Sequence, residues 1–232
     1  MIPPAAVVPG AVLIDVEGTT TPIRFVHNVL FPYARAGLAG LLADHGHEAD
    51  VAEALAEVPG PDRLATLLAW MDNDTKATPL KALQGIVWRH GYSIGELKGE
   101  LYPDVAPCLR RWAAAGLRLC VYSSGSVEAQ RQLFGHSVAG DLIPLFTGFF
   151  DTRVGAKREP QSYVTIAQGL FLPGSEILFL SDIEAELDAA AAAGLRTCQL
   201  VRAMDGTIAS VRHPTAEDFR AVARQFGLPN IR

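Results

Sequence analysis

The stretch Ala11-Val12-Leu13-Ile14-Asp15-Val16-Glu17-Gly18-Thr19-Thr20 decides the fold, because an apolar run delivers two carboxylates, two positions apart, into a glycine-containing turn. Val12, Leu13 and Ile14 read as a short buried strand. Asp15 then stands at its carboxyl end, where open α/β sheets collect their ligands. Acidic residues at strand ends are also common solvated turn formers, so the Asp-x-Glu pair defines a site only if other segments converge on it.

The rest of the chain sets the limits. At 232 residues and 49% hydrophobic content it can bury one substantial core plus a second small domain, and general disorder is excluded. The net charge of −5 comes with scattered basic residues, which gives no footprint for nucleic acid or an anionic membrane surface. No apolar run reaches the roughly 18 to 20 residues that span a bilayer. Residues 1–4, Met-Ile-Pro-Pro, lack the charged and apolar regions of a secretion signal, so a cytoplasmic location is expected. Cys108, Cys120 and Cys198 are odd in number, far apart and set among apolar residues, as expected of buried reduced thiols.

After the first strand the pattern turns helical. One apolar stripe holds Phe31, Ala34, Leu38, Leu41 and Leu42, and another holds Leu64, Leu67, Leu68 and Met71. A further helix is predicted to begin at Thr78-Pro79, with Thr78 as N-cap, to carry Leu80, Leu83 and Val87 inward, and to close at Gly91. Trp70, Trp88 and Tyr92 read as the aromatic core of this bundle. From Pro103 helix and strand alternate, the mark of a largely parallel sheet. Asp104 is predicted to cap a helix that buries Val105, Cys108, Leu109 and Trp112 and ends at Gly116. Strands follow at 117–122, 146–150, 177–180 and 197–201, with helices at 127–134, 159–170 and 184–193 between them. The predicted organisation is an α/β core of residues 1–20 and 104–232, interrupted by a helical cap domain of residues 21–103.

Polar residues then recur at one sheet edge: Asp15, the run Ser123-Ser124-Gly125, and Ser181-Asp182. Lys157, in the turn Gly155-Ala156-Lys157-Arg158-Glu159-Pro160, can reach the same edge. Each member has a plainer alternative: Asp182 as a helix N-cap, Lys157 as a solvated turn lysine, Ser123 and Ser124 as a capping pair. Together, carboxylates, hydroxyls backed by glycine and one lysine are what phosphoryl transfer through an aspartyl intermediate requires. A carboxylate facing a phosphate dianion is repelled by about 4 kcal/mol per charge pair at ~4 Å and an effective dielectric of about 20. A hard divalent cation on Asp15, Asp182 and a backbone carbonyl, with the Lys157 ammonium, would cancel this repulsion, and all-oxygen ligation favours Mg²⁺. Ser123, Ser124 and the amides near Gly125 would hold the phosphoryl oxygens. Glu17 would protonate the leaving oxygen and then deprotonate the hydrolytic water.

These residues resemble the four motifs of the haloacid dehalogenase-like phosphohydrolases, which have a Rossmann-like core with a parallel sheet and, often, an inserted cap. The run Asp15-Val16-Glu17-Gly18-Thr19-Thr20-Thr21-Pro22-Ile23, followed by Phe25-Val26 and Leu30-Phe31-Pro32-Tyr33, is similar to the enolase-phosphatase E1 (acireductone synthase) family, where Glu replaces the commoner Asp at position 17. Matches continue through Thr78-Pro79-Leu80-Lys81-Ala82-Leu83-Gln84-Gly85, Trp88-Arg89, Val121-Tyr122-Ser123-Ser124-Gly125-Ser126 and Phe179-Leu180-Ser181-Asp182. The resemblance implies that Asp15 is nucleophile and metal ligand, that Glu17 is acid/base and lends its carbonyl to Mg²⁺, and that Asp182 completes the protein ligands. It implies that Ser123, Ser124 and Lys157 bind phosphate and that Glu186 stands behind them. The implied reaction acts on a small-molecule phosphate ester, 5-methylthio-2,3-dioxopentyl 1-phosphate, first by enolisation and then by hydrolysis to the acireductone of methionine salvage. Glu17, Lys81, Arg89 and His90 are candidates for handling the dicarbonyl, and a monomer is expected. The run Val201-Arg202-Ala203-Met204-Asp205-Gly206 departs from the family's usual Arg-Pro-Gly or Arg-Glu-Gly loop. Two other readings stay open. A receiver-like phospho-acceptor module lacks a helical insertion after its first strand, and a capped phosphatase for another ester would differ only in specificity.

Overall fold

Six strands form one sheet in a computed structural model that describes residues 8–230. Residues 1–4, read above for a leader, lie outside the described range. The strands are β1 (Ala11–Ile14), β2 (Arg118–Tyr122), β3 (Phe146–Phe150), β4 (Ile177–Ser181), β5 (Arg196–Leu200) and β6 (Thr215–Ala216), in the spatial order β3-β2-β1-β4-β5-β6. Every pairing is parallel. The strand earliest in sequence is therefore central. Chain order runs outward from it on both sides, so the topological switch falls between β1 and β4, the place where such sheets bind ligands.

Burial on both faces explains the continuous apolar runs. Val12 and Ile14 of β1 join Leu178, Leu180, Trp112 and Phe219 on one side of the sheet, while Ala11 and Leu13 join Phe179, Tyr122, Tyr163 and Leu187 on the other. Trp112 stacks on Phe219 with ring centroids 5.2 Å apart, which fixes the helix Val105–Ala114 against the helix Phe219–Phe226. The latter helix and β6 are additions to the sequence reading, which stopped near residue 206. Their signals were ordinary ones: Asp218 accepts a hydrogen bond from the Ala221 amide as N-cap, and Gly227 ends the helix. All three cysteines are buried and free.

The chain divides into two compact units. One runs to Ile23 and resumes at Gly99; the other is Arg24–Lys98. The second unit is helical, with helices Phe31–His45, Ala49–Ala56, Arg63–Asp72 and Thr78–Ser93 around a core of Leu38, Val51, Leu55, Leu67, Leu80, Leu83 and Val87. Among the described residues no helix is long and apolar enough to cross a membrane.

Three local expectations are corrected. Ala77, not Thr78, is the N-cap of the helix Thr78–Ser93, so Thr78 and Pro79 lie in its first turn, where the missing proline N–H costs nothing. Gly91 does not end that helix but permits a close approach, since a Cβ there would meet the Tyr33 ring at 2.6 Å. Asp104 makes no side-chain cap on the helix Val105–Ala114; its carboxylate is taken by the Arg202 guanidinium and the Phe219 amide.

Candidate active site

The register places the site. Ile14 pairs with Leu180, and the Asp15 amide donates to the Leu180 carbonyl at 2.9 Å, so Asp15 leaves β1 level with Ser181 at the end of β4. Gly18 adopts a positive φ of 72°, and any Cβ there would overlap the Asp182 carboxylate. The turn after β1 and the turn after β4 are thus in van der Waals contact through a position only glycine can fill.

Lys157 is brought in by a turn that hydroxyl groups pin from three sides. Tyr122 donates to the Gly155 carbonyl (3.0 Å), Ser162 to that of Ala156 (2.8 Å) and Tyr163 to that of Lys157 (2.7 Å). The lysine is only 8% exposed, and its Nζ lies 2.5 Å from Asp15 Oδ1 and 2.6 Å from Glu186 Oε2. This disposes of the solvated-turn alternative. Burial by itself would push the ammonium pKa down, but the Asp15 and Glu186 carboxylates outweigh it and hold the pKa above its ordinary value.

Glu186 projects from the helix Glu184–Ala192 and also accepts from Ser181 Oγ at 2.9 Å. Burial first, then the nearby Asp15 charge, pushes its pKa up to about 7. The same two causes push Asp182 up to about 8. Asp182 does not cap the following helix: the N-cap is Ile183, whose amide bonds to Ser181 Oγ. Instead Asp182 Oδ1 is buried without a hydrogen-bond partner, while the Asp182 carbonyl is held by Gln199 Nε2 at 2.8 Å. Asp15, Asp182 and Glu186 face a single ammonium, so fully ionised they carry two uncompensated negative charges in a buried setting.

At the end of β2, Ser123 is buried and accepts from the Gly125 amide (3.1 Å), while Ser124 is exposed. Neither caps the next helix, because Ser126 does so by accepting from the Ala129 amide. Gln130 clamps the serine loop through Nε2 to the carbonyls of Gly125 (2.8 Å) and Phe150 (2.9 Å). Glu17 is half-buried and bridges to Thr21 within the turn. The structure therefore joins Asp15, Lys157 and Asp182 in one cluster. It sets Ser123, Ser124 and Glu17 in turns at the same edge of the sheet. Glu186, read from sequence only as standing behind the motif, is a direct partner of Lys157; its four-residue spacing from Asp182 at a helix start was the available signal. Both Gln199 and Arg202 are buried; Gln199 was missed because a glutamine within a strand carries no distinctive pattern, and Arg202, quoted only as part of a loop that departs from the family pattern, was given no role.

A buried carboxylate beyond the central strand of a parallel sheet, a lysine paired with it and a second acidic turn on the adjacent strand define a hydrolase of the haloacid dehalogenase-like class. The family model for haloacid dehalogenase-like hydrolases matches residues 9–194. Enolase-phosphatase E1 of Granulibacter bethesdensis is 60% identical over 227 residues, covering 96% of this chain and 98% of that protein. The enzyme of that name from Gluconacetobacter diazotrophicus is 56% identical, with coverage of 94% and 95%. Among solved structures, the UTR4 protein of Saccharomyces cerevisiae superposes with a TM-score of 0.79 at 34% identity, covering 91% of this chain and 98% of that one. CbbY of Rhodobacter sphaeroides, at 20% identity and a TM-score of 0.60, shares the fold. The chain belongs to the enolase-phosphatase E1 family of the haloacid dehalogenase-like hydrolases.

Proposed function

We propose that this chain is an Mg²⁺-dependent enolase-phosphatase acting on 5-methylthio-2,3-dioxopentyl 1-phosphate in methionine salvage, as a cytoplasmic monomer. The observation that carries the reading is the buried Asp15–Lys157–Glu186 cluster beside the unpartnered Asp182 Oδ1. The relatives' shared name supplies the activity class.

The residues fit a divalent cation. An orphaned buried carboxylate oxygen and, when the three acids are ionised, an excess of two negative charges are the conditions that such an ion relieves. Among the described residues no group of three or more His, Cys, Asp or Glu side chains is spaced to hold a metal. The proposed ligand set accordingly has two carboxylates, Asp15 and Asp182, and one backbone carbonyl, that of Glu17, which leaves room for water as Mg²⁺ prefers. When bound, the ion supplies the positive charge that lets a carboxylate approach a phosphate dianion.

An Asp15 carboxylate oxygen attacks phosphorus and the ester oxygen departs, taking a proton from Glu17. Glu17, now ionised, removes a proton from water, and the resulting hydroxide displaces phosphate from Asp15. Lys157 neutralises Asp15 and offers donors to the phosphoryl oxygens, with Ser123, Ser124 and the amides around Gly125 as neutral donors. Glu186, itself held by Ser181 Oγ, keeps Lys157 charged and in place.

The test follows acireductone absorbance and phosphate release together, using the diketo phosphate with and without Mg²⁺. Formation of both products only with the ion supports the reading. Phosphate without acireductone reduces the protein to a phosphatase of another specificity, and absence of both overturns the proposal.

A further inference from the structure

The loop at 201–206, whose sequence departs from the family pattern, holds the most heavily hydrogen-bonded arginine among the described residues, and the mechanism above makes no use of it. Arg202 is buried, and its guanidinium is committed in five directions. Nε and Nη2 both donate to the Thr19 carbonyl (3.3 and 2.8 Å), Nη1 and Nη2 pair with the two Asp104 carboxylate oxygens (2.9 and 3.1 Å), and Nη1 also reaches the Glu217 carbonyl (3.2 Å). Its Cζ lies over the Tyr102 ring, 4.0 Å from the centroid, and 5.7 Å from the centroid of Phe219. Asp104 is in turn saturated by the Phe219 amide at 2.8 Å.

Thr19 is a fully buried residue of the turn that carries Asp15 and Glu17. Inside that turn the amides of Thr19, Thr20 and Thr21 all converge on the Val16 carbonyl, and the Gly18 amide donates to Thr21. Internal hydrogen bonds fix its curvature but not its tilt against the sheet. Outside contacts hold the tilt: on the β4 side the Asp15 amide on the Leu180 carbonyl (2.9 Å) and the packing of Gly18 on Asp182, and on the far side the Tyr102 amide on the Thr20 carbonyl (3.0 Å) and the two Arg202 donors on Thr19. We infer that Arg202 is a positioning residue for the nucleophile turn: its forked contact with the Thr19 carbonyl, braced by Asp104, orients the Asp15-to-Thr21 segment for phosphoryl transfer. The link to catalysis rests on the function proposed above; the link to the turn rests on geometry alone. Only a guanidinium can serve, because a lysine ammonium is a point donor that cannot span Thr19 and Asp104 with parallel bonds.

Two variants separate positioning from mere stability. Arg202→Lys retains a charge for Asp104 but loses the fork on Thr19, whereas Asp104→Asn loosens the brace and leaves the Thr19 contact. Hydrogen exchange of the residue 19–21 amides is expected to accelerate about 10-fold in Arg202→Lys, with the β1 and β2 amides at wild-type rates. With the diketo phosphate and Mg²⁺, kcat of that variant should fall about 100-fold with KM nearly unchanged, as for a misplaced catalytic group. Asp104→Asn should lose comparable melting temperature but clearly less kcat. Wild-type exchange at residues 19–21 in Arg202→Lys overturns the inference, as does an equal kcat loss in both variants at equal melting temperature. If wild-type protein shows no turnover, the proposed function fails and the exchange comparison alone decides the role of Arg202. Should Arg202→Lys not fold, Arg202→Gln combined with Asp104→Asn, which leaves no buried unpaired charge, takes its place with the same readouts.

Discussion

Two buried charge clusters lie in the same unit, and they are built on opposite rules. Every N–H of the Arg202 guanidinium has an acceptor, and one cation meets one carboxylate. Around Lys157 one cation meets Asp15 and Glu186, with Asp182 beyond them holding an unpartnered oxygen. A balanced, saturated cluster has nothing left to offer a ligand and serves as scaffold. An unbalanced one costs folding free energy that protonation or a bound cation returns, which is the condition of a site built to take a ligand.

The sharpest way to break this contrast is to neutralise the two clusters in turn. Asp15→Asn should cut phosphate release by at least about 10³-fold, more than 4 kcal/mol of transition-state stabilisation, while the fold is kept because a crowded negative charge is removed. Circular dichroism with a phosphate assay checks both halves, and retained turnover would end the covalent role. Arg202→Ala should instead destabilise the fold by about 3–5 kcal/mol, since it strands the Asp104 carboxylate, and denaturant unfolding measures this. A loss below about 1 kcal/mol would mean that the saturated cluster is not the scaffold described.

The acid cluster also has a signature in pH. Asp182 and Glu186 have folded pKa values near 8 and 7 against ordinary values of 3.8 and 4.5, so folding favours their protonated forms. The folded chain then holds more protons than the unfolded chain across that interval, and stability falls as pH rises toward about 8, levelling off above it. Without Mg²⁺ the melting temperature should be lower at pH 8 than at pH 6, and added Mg²⁺ should raise it more at pH 8, where the carboxylates are ionised. The carboxylates held below their ordinary range, Asp50, Asp151 and Asp188, titrate well under this window and leave it undisturbed. A melting temperature that rises from pH 6 to 8 would contradict the assigned burial. The smallest effect is expected at the serine loop. Ser126→Ala removes the cap of the helix Val127–Gly135 and should cost about 0.5–2 kcal/mol, whereas Ser124→Ala, at an exposed position outside that cap, should change phosphate affinity more than stability.

What was legible in the sequence follows the same division. Asp15, Lys157 and Asp182 announce themselves because a charged residue at the end of an apolar strand, or in a turn before a helix, interrupts a pattern. The strands are equally plain, since a sheet buried on both faces needs unbroken apolar runs. Arg202 and Asp104 stayed hidden because their partnership spans distant segments, and Asp104 ahead of an apolar helix imitates a cap. Thr78 misled in the same way: a threonine before proline has the composition of a helix start, yet the backbone places the boundary one residue earlier. Local chemistry names the residues able to act, but tertiary pairing decides which of them are already spent.

The placement of β1 at the middle of the sheet bears on how the chain comes off the ribosome. Ala11 pairs with Arg118 on one side and Ile177 on the other, so the strand that carries Asp15 precedes both neighbours in the chain and is paired on both edges only once the second has emerged. The intervening helices, with a core of their own, can collapse in the meantime. Until then the apolar segment Ala11–Ile14 lacks one or both of the strands that cover its edges in the finished sheet.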